Sequence, residues 1–447
     1  MARSKGLVKE ELINNIISMI IHGTLNEGDF LPSIRSMSTF YNISRGTVLV
    51  VYKHLESMGY IQGIERSGYI VVKKAYLGTS DYELPLNPPT AQMISTDEEE
   101  STQQHLTKLY QRKPCKLPAQ FIKRWASNYD NFLQQNPSFN LYSLQRFLKL
   151  SRGITVDEKS LLLLSGYQES LGLIALFLQE HHKKKIILED PCSPKIKELF
   201  AQFQFDIISV ATDSDGLLVD QLPDITDVAL LCMPTLQYPT ATRLSEDRKQ
   251  RLYRWAAKRR IIIIEDDSYA MLGFGKNISP PLYLCQKQTP VIYLTQLIEV
   301  LGSTYNLAII TLPPMLVEPF RRLNQALHSN YPPASFSIID YFLSSSYLMK
   351  YLTTLVEERQ AKTQIAKIIC TERLPTHSIN FQENGGFCSF SLSKSNTPKE
   401  FVNTAFFPIT PQWVETSDER YFLFPHTLMS LSELEKLSRQ LLPALAT

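Results

Sequence analysis

Cysteine is scarce in this chain of 447 residues. Its six cysteines, Cys115, Cys192, Cys232, Cys285, Cys370 and Cys388, lie far apart, with no C-x-x-C pair and no histidine at ligand spacing. That argues against a disulfide framework and against a structural zinc site. Long apolar runs are missing too: no uncharged stretch approaches the roughly 18 residues of a membrane span, and the longest β-branched run, Ile261 to Ile264, is strand-sized. The first segment, MARSKGLVKEELINNIISMIIHG, interleaves charges with its apolar residues and so lacks the core of a signal peptide. Excess charge is absent as well, at a formal +2, so any basic face must be local. These absences predict a reduced, cytoplasmic, soluble protein with no membrane partner. What is present is ordinary globular material, 44% hydrophobic and 20% charged, enough for sizeable cores. At about 150 residues per domain the length predicts roughly three folding units.

Charge and periodicity divide the chain. Residues 1 to 75 alternate helical patterns with a short hairpin pattern, and the first 74 carry nine Lys/Arg against six Asp/Glu. Between 76 and 118 the periodicity fails: LPLNPPT is proline-rich and STDEEEST is acidic and polar, the composition of a linker. From 119 to 345 short β-branched runs (KIILED, FDIISV, VALLCMP, RIIIIEDD, PVIYLTQ) alternate with helical stretches, which predicts βαβ units on a mostly parallel sheet. Residues 346 to 447 read as a small α+β domain, with a long helix before Thr371, strands in NFQENGGFCSFSL and RYFLFPHTL, and a closing helix.

In FLPSIRSMSTFYNISRGTVLVVYKHLESMGY, Ser33 is placed to cap a helix running to about Tyr41, Asn42 and Ile43 form a tight turn, and Ser44 caps a second helix. Val48, Val51 and Leu55 recur at helical spacing and turn inward, which leaves Arg45 and Thr47 toward solvent at the amino end. Two helices joined by a short turn, the second with an exposed basic start, have helix-turn-helix geometry, and YIQGIERSGYIVV supplies a wing. With LPSIR at 31 to 35, SRGTV at 44 to 48, VYKHLESMGYI at 51 to 61 and RSGYIV at 66 to 71, the segment resembles the GntR family of winged-helix regulators. The resemblance implies binding to a double-stranded DNA operator through Arg35, Ser44, Arg45, Thr47, Ser67 and Gly68. Arg35 and Thr47 would contact phosphates, Arg45 a base edge in the major groove, and the wing at Ser67 and Gly68 the minor groove. Arginine suits the base role because its planar fork matches the two acceptors of guanine. An ordinary solvated role for Arg35 and Arg45 is the alternative.

The remainder resembles a fold-type I aminotransferase, and the two halves together resemble the MocR subfamily of GntR regulators. The matching pieces are SRG at 151 to 153, GYQESL at 166 to 171, LEDPCSP at 188 to 194, DSDGL at 213 to 217, MPTLQYPTA at 233 to 241, IIEDD at 263 to 267, VIYL at 291 to 294 and GGF at 385 to 387. The resemblance implies a pyridoxal phosphate (PLP) pocket: a helix opening near Gly166 and Gln168 for the phosphate, Tyr238 on the QYPT motif, and Asp266 for the pyridine nitrogen. It also implies a Schiff-base lysine, and there the sequence departs. Aligned from Tyr293 to Pro313 without a gap, the Ser-Lys pair becomes Ile298-Glu299 and the phosphate arginine becomes Asn306; no lysine lies between Lys287 and Lys350. The expected stacking aromatic is Ser193 and the expected tyrosine is Ser268, with Tyr269 one place on. The expectation is therefore a degenerate cofactor or effector pocket made by Gly166, Gln168, Ser193, Tyr238, Asp266, Ser268, Glu299 and Asn306, with no covalent PLP, no catalytic residue and no metal.

Glu299 brings an anion near Asp266, which raises a carboxyl pKa or recruits a cation, unless it is a solvated residue on a collapsed loop. Arg420 is a weak candidate for holding a substrate carboxylate. The basic stretch EDRKQRLYRWAAKRR at 246 to 260 reads as the outer face of a helix anchored by Leu252, Trp255 and Ala256, with DNA contact as the lesser reading, and HHKKK at 181 to 185 reads as a basic helix end. Three functions stay open. One is a DNA-binding regulator whose aminotransferase-like half makes a homodimer and senses a small-molecule effector. The others are a PLP-dependent aminotransferase, or PLP-sensing regulator, with a DNA-binding arm, and a regulator whose second half only dimerises.

Overall fold

The computed structural model describes residues 5–21, 24–65, 67–72, 117, 119–129, 141–272, 279–285, 289–302, 305, 307–327, 333–374, 376, 378–382, 385–393, 405–409 and 419–441. The chain divides into two compact units, residues 1–88 and 89–447. Most of the proline-rich and acidic stretch proposed as a linker lies outside the described residues; near its end, Leu117 is buried in the core of the second unit.

In the first unit α1 (Lys5–Ile21), α2 (Ile34–Phe40) and α3 (Arg45–Ser57) precede a hairpin of β1 (Ile61–Ile64) and β2 (Gly68–Val71). Leu12, Ile16, Met37, Val48, Val51, Tyr52, Leu55 and Ile61 share one core. The hairpin is tied to the helices in two ways. Tyr52 donates its hydroxyl to the Pro32 carbonyl at 2.7 Å while its ring meets Tyr69 edge-on, and Glu56 accepts the Gly63 N–H at 2.8 Å. The segment before α2 adds to the sheet edge, with Leu31 N–H donating to Tyr69 O and Val71 N–H to Asp29 O.

The second unit begins with α4 (Ala119–Ser127) and α5 (Tyr142–Arg152), followed by β3 (Leu161–Leu164), α6 (Tyr167–Glu180), β4 (Lys185–Asp190), α7 (Pro194–Gln202), β5 (Asp206–Asp213) and β6 (Gly216–Leu217). Next come β7 (Val228–Cys232), α8 (Glu246–Arg259), β8 (Ile262–Asp266), β9 (Val291–Gln296), the short α9 (Ile298–Leu301), β10 (Ala308–Thr311), α10 (Pro314–Leu327) and α11 (Pro333–Ser344). The strands form one sheet in the order β3-β10-β9-β8-β7-β4-β5-β6, with β4, β5, β7, β8 and β9 parallel and β10 antiparallel to both its neighbours. Every residue of β4 after Lys185, and of β7, β8 and β9, is buried. Alternate side chains feed two cores: Ile187, Leu230, Ile263 and Tyr293 on one face, and Ile186, Leu231, Ile264 and Ile292 on the other. A sheet covered on both faces has no solvent side, which is why these strands read as apolar runs with polar residues only at their ends.

The 22-residue α12 (Tyr347–Ile368) leads through a π turn into a four-stranded antiparallel sheet, ordered β11 (Ser378–Asn380), β12 (Cys388–Ser393), β14 (Glu419–Phe424), β13 (Phe407–Ile409), and a closing α13 (Leu431–Gln440). Among the described residues no helix is long and apolar enough to cross a membrane, and no acid, histidine and cysteine cluster has metal-binding geometry.

Candidate functional site

The start of α3 is built by its cap. Ser44 accepts the Thr47 N–H at 3.1 Å and its hydroxyl pairs with Thr47 Oγ1 at 2.8 Å, so Thr47 is spent partly on the cap. Ser33 caps α2 in the same way, accepting the Ser36 N–H. With Val48, Val51, Tyr52 and Leu55 buried, Arg45 projects from the exposed face, and Arg35 is exposed on α2. Ser67 and Gly68 are exposed at the hairpin tip, where Gly68 takes φ 116°, a conformation that favours glycine.

In the second unit the pocket residues follow the carboxyl ends of parallel strands, where α/β sheets bind ligands. Gly166 follows β3, Ser193 follows β4, Tyr238 follows β7, Asp266 ends β8 with Ser268 two residues beyond, and Glu299 opens α9 just after β9. The buried Asp266 accepts the Tyr167 hydroxyl at 2.5 Å and the Ser268 N–H at 3.0 Å. Its neighbour Asp267 holds Arg152 Nε at 2.5 Å and accepts the Tyr293 hydroxyl at 2.8 Å. Glu299 is not solvated on a loop: its side chain is 6% exposed and its Oε1 accepts from Arg359 of α12 at 2.6 Å. A cation has thus been recruited. Glu299 Oε2 is buried with no hydrogen-bond partner among the described residues. Gly386 of the GGF motif closes over this pair, since a Cβ there would stand 2.9 Å from Glu299 Oε1 and 3.3 Å from the Arg359 guanidinium. Tyr238 stacks on Tyr269 at 5.4 Å, and Phe387 meets both rings edge-on.

Burial dominates the electrostatics. It pushes Asp266 up to about 6, a rise restrained by the hydrogen bonds from Ser268 and Tyr167, and it drives the Tyr167 phenol well above its ordinary value with Asp266 adding to the rise. Glu299 is raised by burial against the pull of Arg359, with Asp267 repelling it further. Glu189, whose Oε2 accepts the Met233 N–H at 3.0 Å, is pushed up to about 8 by the same cause.

Other expected residues land differently. Gln168 is exposed on the first turn of α6. Ser193 precedes α7 without a side-chain cap bond. Asn306 lies outside the described residues. Arg420 is exposed on β14, paired with Leu392 across the small sheet. Three arginines of the basic helix α8 pair with acids of the same unit: Arg248 with Asp213, Arg251 with Asp220 and Asp247, and Arg259 with Asp224.

Residues 8–71 match the gntR family of bacterial regulatory proteins, and residues 133–296 match the aminotransferase class I and II family. The HTH-type transcriptional regulator YhdI of Bacillus subtilis is 22% identical over 428 residues, covering 92% of this chain and 90% of YhdI. The HTH-type pyridoxine biosynthesis transcriptional regulator PdxR of Corynebacterium glutamicum is 25% identical over 287 residues, covering 62% of this chain and 59% of PdxR. An archaeal alanine:glyoxylate aminotransferase superposes with a TM-score of 0.62 at 18% identity, covering 78% of this chain and 96% of its own. A gntR-family segment followed by an aminotransferase class I and II segment, with relatives named as HTH-type regulators, makes this chain similar to MocR-type GntR regulators. Within the site, the sequence reading did not single out Tyr167, Asp267, Arg152 and Arg359. The first three sit inside the motifs GYQESL, IIEDD and SRG, and of these only IIEDD, with its adjacent acids, carried a usable signal. Arg359 has none, because it reaches Glu299 from 60 residues away in sequence.

Proposed function

We propose that the chain is a sequence-specific DNA-binding transcriptional regulator whose aminotransferase-like half forms a homodimer and senses a small molecule without holding PLP covalently. The DNA-binding part rests on one observation: a Ser44-capped α3 that presents Arg45 on the face opposite its buried residues. Arg45 reads a base edge, Arg35 and Thr47 hold phosphates, and the Ser67–Gly68 tip follows the minor groove. The regulatory names of the relatives support this reading.

The pocket does not fit PLP in the manner of the fold family. Asp266, the partner a pyridine nitrogen would need, already takes the Tyr167 hydroxyl. At the lysine position stands a carboxylate, which cannot form an imine, and that carboxylate is tied to Arg359. Ser193 offers no ring to stack on the cofactor. The chain is accordingly read as a regulator and not as a transaminase.

Two measurements test this. Arg45→Ala should weaken binding to a selected operator by about 1 to 3 kcal/mol and relax its base preference, whereas Arg35→Ala should weaken all sequences more evenly. Equal operator affinity of wild type and Arg45→Ala would sink the DNA assignment. Borohydride treatment after incubation with PLP should leave no pyridoxyl-lysine in the pocket on peptide mapping; a stoichiometric adduct there would restore the cofactor-dependent reading.

A further inference from the structure

The face that α3 turns to solvent is partly apolar. Leu49 and Val50 are 37% and 46% exposed, and neither belongs to the core that holds the first unit together. On a helix with Val48, Val51, Tyr52 and Leu55 buried, they lie one turn beyond Arg45 and Gly46, flanked on the next turn by Lys53. Large apolar side chains at the start of a DNA-reading helix have one natural counterpart in the major groove. The C5-methyl of thymine is the only apolar group that a base edge displays there.

Gly46 adds an independent observation. A Cβ built there would meet only Ser44 Oγ, at 3.8 Å, and the residue does not need a positive φ. Nothing inside the protein calls for glycine, yet glycine costs a helix about 1 kcal/mol relative to alanine. Its lack of a side chain clears the helix surface just before Val50 and lets a base pair approach the backbone closely.

We infer that Leu49 and Val50 are specificity-determining residues that pack on thymine methyl groups beside the base read by Arg45, with Gly46 providing the clearance. The inference rests on the reading of α3 as the recognition helix.

The test uses the full chain and an operator selected from random duplex DNA, with thymines replaced one at a time by deoxyuridine, which removes only the methyl. Wild type should lose about fourfold in affinity at one or two positions per half-site, the worth of one buried methyl. Leu49→Ala or Val50→Ala should abolish that sensitivity at its own position and leave the others unchanged. Both side chains are exposed, so unchanged thermal unfolding will confirm that these variants fold. Gly46→Ala should raise thermal stability while weakening operator binding. No methyl-sensitive thymine, or the same sensitivity in both variants, would overturn the inference. If Arg45→Ala still relaxes base preference in that case, the recognition helix stands and only the methyl reading falls; if it does not, both fall.

Discussion

Burying a carboxylate is expensive unless a partner is buried with it, and Glu299 and Arg359, 6% and 7% exposed, form such a pair. Removing one partner should cost far more than removing both. Arg359→Ala is expected to destabilise the protein by about 3 to 5 kcal/mol, and the double change Glu299→Ala with Arg359→Ala by clearly less than the sum of the singles. Denaturant unfolding checks this, and additive single-site costs would show that the two residues do not act as a unit. The same geometry sharpens the expectation for Glu299→Lys, which sets an ammonium against Arg359 and should lower stability without restoring a PLP absorbance band. Glu189 gives the pH prediction. Its carboxyl is raised to about 8 in the fold, so between its ordinary value and 8 the folded protein keeps a proton that the unfolded chain has lost. The stability contributed by the neutral form is full at low pH and falls as pH rises through that window, at roughly 1.4 kcal/mol per pH unit. Glu189→Gln, which keeps an acceptor for the Met233 N–H, should flatten the pH dependence of thermal unfolding between pH 5 and 8. An unchanged slope would assign the dependence to another group.

Elements whose sequence carried both a cap and a period were legible before the fold was known. Ser33 and Ser44 mark the starts of α2 and α3, and the inward spacing of Val48, Val51 and Leu55 matches the buried face of α3. The buried runs of β4, β8 and β9 were legible because a two-sided core demands apolar residues through most of each strand, with polar residues only at the ends. The short β11 and β13 were not: SIN and FPI are three-residue strands, too short to show a period, even though each pairs with the next strand in sequence, β12 and β14. Within the candidate site the buried ion pair of Glu299 could not be read from the sequence, since it depends on α12 bringing Arg359 to it from 60 residues away. The cap of α3 can be weighed directly. Ser44→Ala removes the acceptor for the Thr47 N–H and frees the Thr47 hydroxyl, at an expected cost of about 1 kcal/mol to the first unit. It should also weaken operator binding, because a frayed first turn misplaces Arg45. Loss of stability with full DNA affinity would show that the first turn reforms on DNA regardless of its cap.

On the scale of the whole molecule, the proposed dimer has a reason in affinity. A single winged helix presents few cations: the chain's first 74 residues hold only nine Lys/Arg, and each phosphate contact contributes a salt-sensitive, sequence-blind increment. Specificity then rests on a short stretch of base edges reached from α3. If two copies are joined through the aminotransferase-like half, as proposed, the second binding event becomes intramolecular, at an effective concentration set by the length of the tether. The full chain should therefore sediment as a dimer at micromolar concentration and select an operator with two related half-sites. Scrambling one half-site should reduce affinity by orders of magnitude while leaving the residual binding steeply salt-dependent, since the phosphates remain. Arg45→Ala should relax base preference in both half-sites equally, because one residue from each copy reads each. A monomer in sedimentation, or an operator indifferent to the loss of one half-site, would mean that the aminotransferase-like half does not dimerise the DNA-binding units, and its role would have to be sought in the Asp266 and Glu299 pocket alone.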